Sequence, residues 1–102
     1  MLSVLHDKTA AISEACKRRR VARLDAFGSA VSASFEPGRS DIDLLVEFTP
    51  MSPPEKVNAY FGLLDDLRAL LGTAVDLVMK DAVRNPYIAI AIEKSRQPLY
   101  AA

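Results

Sequence analysis

The strand candidate SDIDLLVEF, at residues 40–48, is the segment that decides the fold. Successive side chains of a strand point to opposite faces, so Ile42, Leu44 and Val46 share one face. We expect that face to enter the core, while Asp41 and Asp43 lie side by side on the opposite face. Two carboxylates placed this way repel each other unless one is protonated or a cation bridges them. The segment therefore predicts a central strand that carries a pair of acidic ligands.

Two other short segments carry residues that suit the same chemistry. Asp76 lies in the strand candidate VDLVM, where an acidic residue among apolar neighbours is unusual because burial of an unpaired charge is costly. Gly28 and Ser29 follow the candidate VARLDAF; glycine allows close backbone approach, and free N–H groups at a helix start attract phosphate. Each feature alone also fits an ordinary role: a solvated strand end, the polar face of an edge strand, or a helix cap. Together they are the parts required for metal-assisted nucleotidyl transfer.

The remaining pattern predicts helices that alternate with strands. Ser52 and Pro53 are typical of a helix start, and Gly72 of a helix end. The predicted helices cover residues 2–16, 54–71 and 81–94, the last delayed by Pro86, and the predicted strands cover 21–27, 41–48, 74–79 and 98–101. This order favours an α/β (α+β) fold, in which a small mixed sheet is backed by helices.

Composition limits the class of protein. The chain has 102 residues, enough for one domain over residues 1–102. Lys and Arg number 13 and Asp and Glu 13, and this zero net charge argues against a protein that coats nucleic acid. Cys16 is the single cysteine, and no apolar run is long enough to predict a membrane span. We therefore expect a cytoplasmic protein with no membrane segment and no disulfide.

The motifs together resemble the minimal nucleotidyltransferases (MNT proteins) of the polymerase β superfamily, the antitoxin partners of HEPN toxins. The resemblance extends over Phe27-Gly28-Ser29, the SDIDLLVEF segment and Val75-Asp76-Leu77-Val78, and reaches the Asn85-Pro86-Tyr87 and Pro98-Leu99-Tyr100 segments. It implies the polymerase β-like nucleotidyltransferase fold.

The resemblance also implies a site and an activity. Gly28 and Ser29 match the pair that holds the triphosphate of ATP, and Asp41, Asp43 and Asp76 match the carboxylates that bind two Mg²⁺ ions, with Asp76 placed to activate the attacking hydroxyl. The implied enzyme is a Mg²⁺-dependent protein adenylyltransferase that moves AMP to a tyrosine of a partner HEPN ribonuclease. The implied assembly is a hetero-oligomer of antitoxin and toxin.

The segment between the two motifs departs from the family pattern. Eleven residues, 30–40, separate Gly28-Ser29 from the strand, one more than is usual in the family. Ser32 and Ala33 stand where the family often has Arg and Gly, and Arg39 is a candidate replacement for that arginine. These departures keep a second hypothesis open, in which the chain neutralises the toxin by binding alone. Transfer to RNA or to a small molecule is a weaker third hypothesis, because the chain lacks a basic excess.

One charged segment and one apolar segment each fit two interpretations. The basic run, defined as residues 17–20 (KRRR), fits a solvated helix end or a contact with nucleic acid or an acidic partner. Ile88, Ile90 and Ile92 fit either the core or an association surface.

Overall fold

The computed structural model describes residues 3–31 and 41–102. Its elements in chain order are α1 (Ser3–Asp7), α2 (Thr9–Arg18), β1 (Val21–Ala26), a 3₁₀ turn (Gly28–Ala30), β2 (Ile42–Phe48), α3 (Pro53–Leu71), β3 (Val75–Met79), a second 3₁₀ turn (Lys80–Ala82), α4 (Pro86–Ser95) and β4 (Gln97–Ala101). Within this described part, none of the helices has the length and apolar composition that crossing a membrane requires.

The four strands form one mixed sheet in the order β3-β2-β1-β4. β1 is antiparallel to both β2 and β4, whereas β2 and β3 are parallel. The parallel pair requires a crossover connection, which α3 provides. The predicted small mixed sheet backed by helices is confirmed.

One face of the sheet carries the main core. Ile42, Leu44 and Val46 are almost completely buried, as the alternation along β2 predicts. α2 and α3 cover this face with buried side chains from their apolar stripes, namely Ile12, Ala15, Cys16, Leu63, Leu64, Leu67 and Leu71. The core thus fixes β2 in the register that turns Asp43 to the opposite face.

α3 begins and ends at the predicted signals. The Ser52 hydroxyl accepts a hydrogen bond from the Glu55 N–H, and the Glu55 carboxylate accepts one from the Ser52 N–H. This reciprocal capping box satisfies backbone donors that the first helical turn leaves free. Gly72 ends the helix in the left-handed conformation, with φ +66°.

Two predicted helices differ from the structure at their bounds. The first is divided at Lys8 into α1 and α2, where the Thr9 hydroxyl donates to the carbonyls of Leu5 and His6. α4 begins at Pro86, because the Asn85 side chain caps it and proline suits the first helical position. Residues 81–85 precede it and are not part of the helix.

The basic run is held by the acidic residues of α3. Arg19 Nε lies 2.9 Å from Asp66 Oδ2, and Arg18 lies 3.6 Å from the same oxygen. Arg20 Nη1 lies 2.8 Å from Glu55 Oε2. These pairs join the end of α2 to α3, so the run has a structural use within the fold.

A buried ion pair fixes the end of α4 against the sheet. Asp25 on β1 is 1% exposed, and its Oδ2 lies 3.1 Å from the Nε atoms of both Arg23 and Arg96. Arg96 follows α4 directly and is itself largely buried. The pair therefore holds α4 on the sheet face that carries Asp43.

Replacement of Asp25 should reduce stability strongly. Asp25→Ala removes the buried partner of the Arg96 guanidinium and leaves it paired only with the exposed Glu93 on α4, and removal of one member of a buried pair costs about 3–5 kcal/mol. Urea unfolding followed by circular dichroism measures the loss. Asp66→Ala, which breaks the more exposed pair with Arg19, is the matched control and should cost about 0–1 kcal/mol. Equal losses in the two variants would contradict this account.

Candidate active site

The turn after β1 brings backbone against a carboxylate of β2. Gly28 has φ +58°, and a Cβ atom built on it would lie 2.7 Å from Asp43 Oδ2. Real Cβ atoms do not approach an oxygen so closely, and positive φ is strained for other residues. Glycine therefore suits this position for two independent reasons: it adopts positive φ without strain, and it leaves the Asp43 carboxylate where it lies.

Ser29 and Asp43 form the centre of the site. The Ser29 hydroxyl donates to Asp43 Oδ2 at 3.3 Å and lies 3.1 Å from the backbone carbonyl oxygen of Asp41. The turn thus presents a hydroxyl donor to a negatively charged group, which is what phosphate binding requires.

Two of the three predicted carboxylates lie on the same side of the sheet, and the third, Asp41, lies two residues before Asp43 in the chain. Asp43 and Asp76 are register partners in the parallel β2–β3 pair, and partners in register share one face. Asp41 immediately precedes β2 and is exposed, as is Asp76. Across the sheet, the order is Ser29 after β1, Asp43 on β2 and Asp76 on β3.

The pKa of Asp43 reflects the burial of its carboxyl and the carboxylates near it. Burial raises the pKa of the Asp43 carboxyl, the negative charges of Asp76 and Asp41 raise it further, and hydrogen bonds from Ser29 oppose the shift. The raised pKa means that the ionised carboxylate is disfavoured at this position. A bound cation would relieve the repulsion.

The donor set fits magnesium with part of its shell supplied from outside the chain. All of the side-chain donors are carboxylate oxygens, which Mg²⁺ prefers. In residues 3–31 and 41–102, no group of three His, Cys, Asp or Glu side chains is arranged to hold a metal ion by itself. Mg²⁺ usually takes one or two carboxylates and completes its octahedron with phosphates and waters, so the arrangement fits an ion that arrives with a nucleotide.

Ser95 is a site residue that the sequence did not indicate. Its hydroxyl accepts a hydrogen bond from the Gly28 N–H at 3.1 Å and donates to the Ala91 carbonyl at 3.2 Å. Ser95 is the last residue of α4 and lies 67 positions from Gly28 in the chain. No local pattern marks such a contact. It links the position of α4 to the turn.

A cavity of about 490 Å³ opens beside Asp76. Its walls come from Phe27 at the end of β1, from β3 and from the segment that leads into α4, and they include Val83, Arg84 and Ile88. This volume lies in the range of roughly 300–1,000 Å³ that is typical of ligand pockets. The cavity is mainly apolar, and Asp76 is the candidate-site carboxylate in its lining.

Two other groups of residues noted in the sequence lie away from the site or outside the described part of the chain. Cys16 is fully buried in the core, and burial raises the pKa of its thiol to about 12, so the reactive thiolate is absent at neutral pH. Ser32, Ala33 and Arg39, which carry the departures from the family pattern, lie outside the described residues.

The sequence matches a family model over most of its length. Residues 10–99 match the model described as "Nucleotidyltransferase domain". Two proteins of Methanocaldococcus jannaschii, both named as protein adenylyltransferases, are also similar. One is 41% identical over 78 residues, which cover 76% of each chain, and the other is 35% identical over 75 residues, 74% of this chain and 73% of the relative.

Solved structures share the fold. A minimal nucleotidyltransferase has a TM-score of 0.75 and 26% identity, over 92% of this chain and 91% of its own. An MNT antitoxin in complex with a tri-AMPylated HEPN toxin of Shewanella oneidensis has a TM-score of 0.64 and 17% identity, over 96% and 73% of the two chains. A toxin–antitoxin structure with AMP-PNP has a TM-score of 0.69 and 18% identity, over 92% and 73%.

Gly28→Ala should displace Asp43, whereas Gly72→Ala should not. Both glycines have positive φ, so both variants incur a left-handed strain of about 1–2 kcal/mol. Only at Gly28 does the new Cβ meet a neighbour, because nothing lies within 4 Å of a Cβ at Gly72. NMR titration of the Asp43 carboxyl measures the difference. An Asp43 pKa that changes equally in both variants would contradict the proposed close approach.

Neutralisation of Asp43 and of Asp66 should change stability in opposite directions. Because the pKa of Asp43 is raised in the folded protein, its protonated carboxyl stabilises the fold below the unfolded pKa, and this stabilisation is lost as the pH rises. Asp43→Asn should therefore unfold at a higher urea concentration than wild type at pH 7. The hydrogen bond from Arg19 lowers the pKa of Asp66, whose contribution is present above the unfolded pKa and is lost as pH falls.

Asp66→Asn should therefore lower stability at pH 7, by about 0.2–1 kcal/mol as for other partly exposed pairs. Urea unfolding at pH 7 and near pH 3 measures both variants, and both differences from wild type should shrink at the lower pH. A destabilised Asp43→Asn at pH 7 would count against the crowding of charge at the site.

Proposed function

This chain belongs to the nucleotidyltransferase domain family, and from that premise we propose that it is an antitoxin-type protein adenylyltransferase. It transfers AMP from ATP to a tyrosine of a partner HEPN ribonuclease and so silences the toxin. The observation that carries the proposal is the order of Ser29, Asp43 and Asp76 across β1, β2 and β3 at one end of the sheet. These residues supply, in spatial order, a phosphate contact, a metal ligand and a proton acceptor.

Gly28 and Ser29 hold the triphosphate in this proposal. The Ser29 hydroxyl now binds the Asp43 carboxylate, so the same donor can turn to a phosphate oxygen once that carboxylate binds a cation. Donors fixed on a short turn before the reaction need little reorganisation during it.

Asp41 and Asp43 hold the metal, with Asp76 as the third acidic group. When bound, two Mg²⁺ ions supply positive charge to the phosphoryl oxygens and to the leaving pyrophosphate. The three side chains orient the nucleotide through that charge. Most of the rate enhancement then comes from positioning and from electrostatic stabilisation.

Asp76 faces the acceptor. The tyrosine hydroxyl oxygen forms a bond to the α-phosphorus of ATP, the bond from that phosphorus to the bridging oxygen of pyrophosphate breaks, and the hydroxyl proton passes to a carboxylate oxygen of Asp76. Asp76 suits this role because it is exposed and adjoins the cavity.

The assignment of substrate and partner rests on relatives. Two similar proteins are named as protein adenylyltransferases, and the fold is shared with MNT antitoxins bound to HEPN toxins, one of them tri-AMPylated. A structure with AMP-PNP supports ATP as the nucleotide. We place the reaction in the cytoplasm, in a hetero-oligomer with the toxin.

A binding-only antitoxin is the second candidate. Two features of the segment of residues 30–40 favour it. The segment is one residue longer than the usual family spacing, and it has Ser32 where the family often has Arg. In that case the chain would cover the toxin's active site and transfer nothing.

Co-expression with a HEPN partner decides between the two candidates. Intact mass spectrometry of the partner should show AMP-sized additions with wild type and none with Asp41→Ala/Asp43→Ala, because loss of the metal ligands removes the main electrostatic stabilisation. No additions should form when the separately purified proteins are incubated with ATP and a chelator.

Asp65→Ala is the matched control, since Asp65 is an exposed carboxylate on α3 away from the site. It should leave the additions unchanged. An unmodified toxin that wild type nevertheless neutralises would establish the binding-only function and overturn the transferase.

A further inference from the structure

We propose that Ser95, the last residue of α4, is a positioning residue for the triphosphate of ATP. Its hydroxyl holds the Gly28 N–H and thereby sets the direction in which the turn presents the Ser29 hydroxyl. This inference rests on the function proposed above and adds to it a residue that lies outside the three sequence motifs of the site.

The Gly28 turn has little conformational preference of its own. Glycine populates positive and negative φ about equally, so contacts with neighbouring groups must select the φ of +58° that Gly28 adopts. A side-chain hydrogen bond is present at each of the first two residues of the turn. Ser95 accepts from the Gly28 N–H at 3.1 Å, and the Ser29 hydroxyl donates to Asp43 Oδ2 at 3.3 Å.

The Ser95 contact, unlike the Ser29 contact, is compatible with a bound nucleotide. In the proposed reaction Asp43 takes the cation and the Ser29 hydroxyl turns to a phosphate oxygen, so the bond between these two side chains is given up. The Gly28 N–H is engaged by Ser95 on α4 and does not have to change its partner. Ser95 therefore keeps the turn in place while Ser29 exchanges a carboxylate for a phosphate.

The Ser95 hydroxyl is itself held firmly. It donates to the Ala91 carbonyl at 3.2 Å, which directs its lone pairs away from that carbonyl and leaves them free to accept from Gly28. The next residue, Arg96, forms the buried pair with Asp25 and ties the end of α4 to β1. A supporting group that is fixed before the ligand arrives needs little reorganisation when the ligand binds.

A serine in a helix also has an ordinary role, in which it bonds only the carbonyl four residues before it. That role would need no contact with the turn, whereas the bond to Gly28 joins residues 67 positions apart. The two roles predict different effects when the hydroxyl is removed. An ordinary helical bond affects stability alone, but a positioning bond affects the binding of phosphate.

Calorimetric titration with a nucleotide that cannot react tests the positioning role. The probe is an ATP analogue with a methylene bridge between the α and β phosphorus atoms, added with Mg²⁺ to the purified chain. Ser95→Ala should weaken its binding by about three- to tenfold, the range expected from the loss of one hydrogen bond. Ser95→Thr keeps a hydroxyl that can bond the same carbonyl, and it should restore the affinity to within about twofold of wild type.

Thr49→Ala is the matched control. The Thr49 hydroxyl donates to the Arg20 carbonyl at 3.0 Å and also joins distant parts of the chain, but it lies at the other end of β2 from Asp43. Its removal should change the affinity for the analogue by less than about twofold. Adenosine, which has no phosphate, should show no difference between wild type and Ser95→Ala.

NMR spectroscopy of the nucleotide-free protein checks the contact itself. The signal of the Gly28 amide proton should move to lower frequency in Ser95→Ala, because the proton loses its acceptor, and should stay in place in Thr49→Ala. An unchanged Gly28 signal in Ser95→Ala would contradict the inference. Urea unfolding midpoints show that each variant folds.

The outcomes separate this inference from the proposed function. Equal affinity of wild type and Ser95→Ala for the analogue, with a co-expressed toxin that still acquires AMP, overturns the positioning role alone. Equal losses in Ser95→Ala and Thr49→Ala, no recovery in Ser95→Thr, or a parallel loss for adenosine also overturn it. Selective weakening in Ser95→Ala with an unmodified toxin supports the positioning role and overturns the transferase. A wild-type chain that does not bind the analogue overturns both.

Discussion

The site depends on the approach of the Gly28 backbone to the Asp43 carboxylate. A side chain at Gly28 would overlap Asp43 Oδ2, so the Asp43 carboxylate keeps its present position only when residue 28 has no Cβ. This approach gives Ser29 its contact with Asp43. The sheet then extends the arrangement, because the parallel register of β2 and β3 places Asp76 beside Asp43. The neighbouring positions of Ser29, Asp43 and Asp76 thus follow from one backbone contact and one register.

α4 connects the turn to the rest of the fold. Ser95 at its end accepts from the Gly28 N–H, and Arg96 forms the buried pair with Asp25 one strand away. The same helix contributes Ile88 to the cavity and exposes it at the surface. A partner that docks on α4 would therefore contact an element that is hydrogen-bonded to the Gly28 turn of the candidate site.

Local patterns predicted the strands and the acidic residues but not their long-range partners. The alternation in SDIDLLVEF determined which β2 residues are buried, and Ser52 and Gly72 marked the ends of α3 because capping depends on a few neighbouring residues. Ser95 and Arg96 gave no signal, since their partners are on β1 and in the turn after it, far away in the chain. Ile92 is buried while Ile88 and Ile90 are exposed, a division that only the packing of α4 decides.

The cost of the acidic cluster favours the enzyme over the binding-only antitoxin. Burial and the charges of Asp76 and Asp41 disfavour the ionised form of Asp43, so at neutral pH the cluster makes folding less favourable. A protein that only covers its partner gains nothing from this cost, and an asparagine at position 43 would fill the same space without the repulsion. A nucleotidyltransferase gains a site that binds a cation because the cation relieves the repulsion. In the proposed enzyme, the charge that weakens the fold is the same charge that would bind Mg²⁺ with its nucleotide, which is the balance between stability and activity expected of a catalytic site.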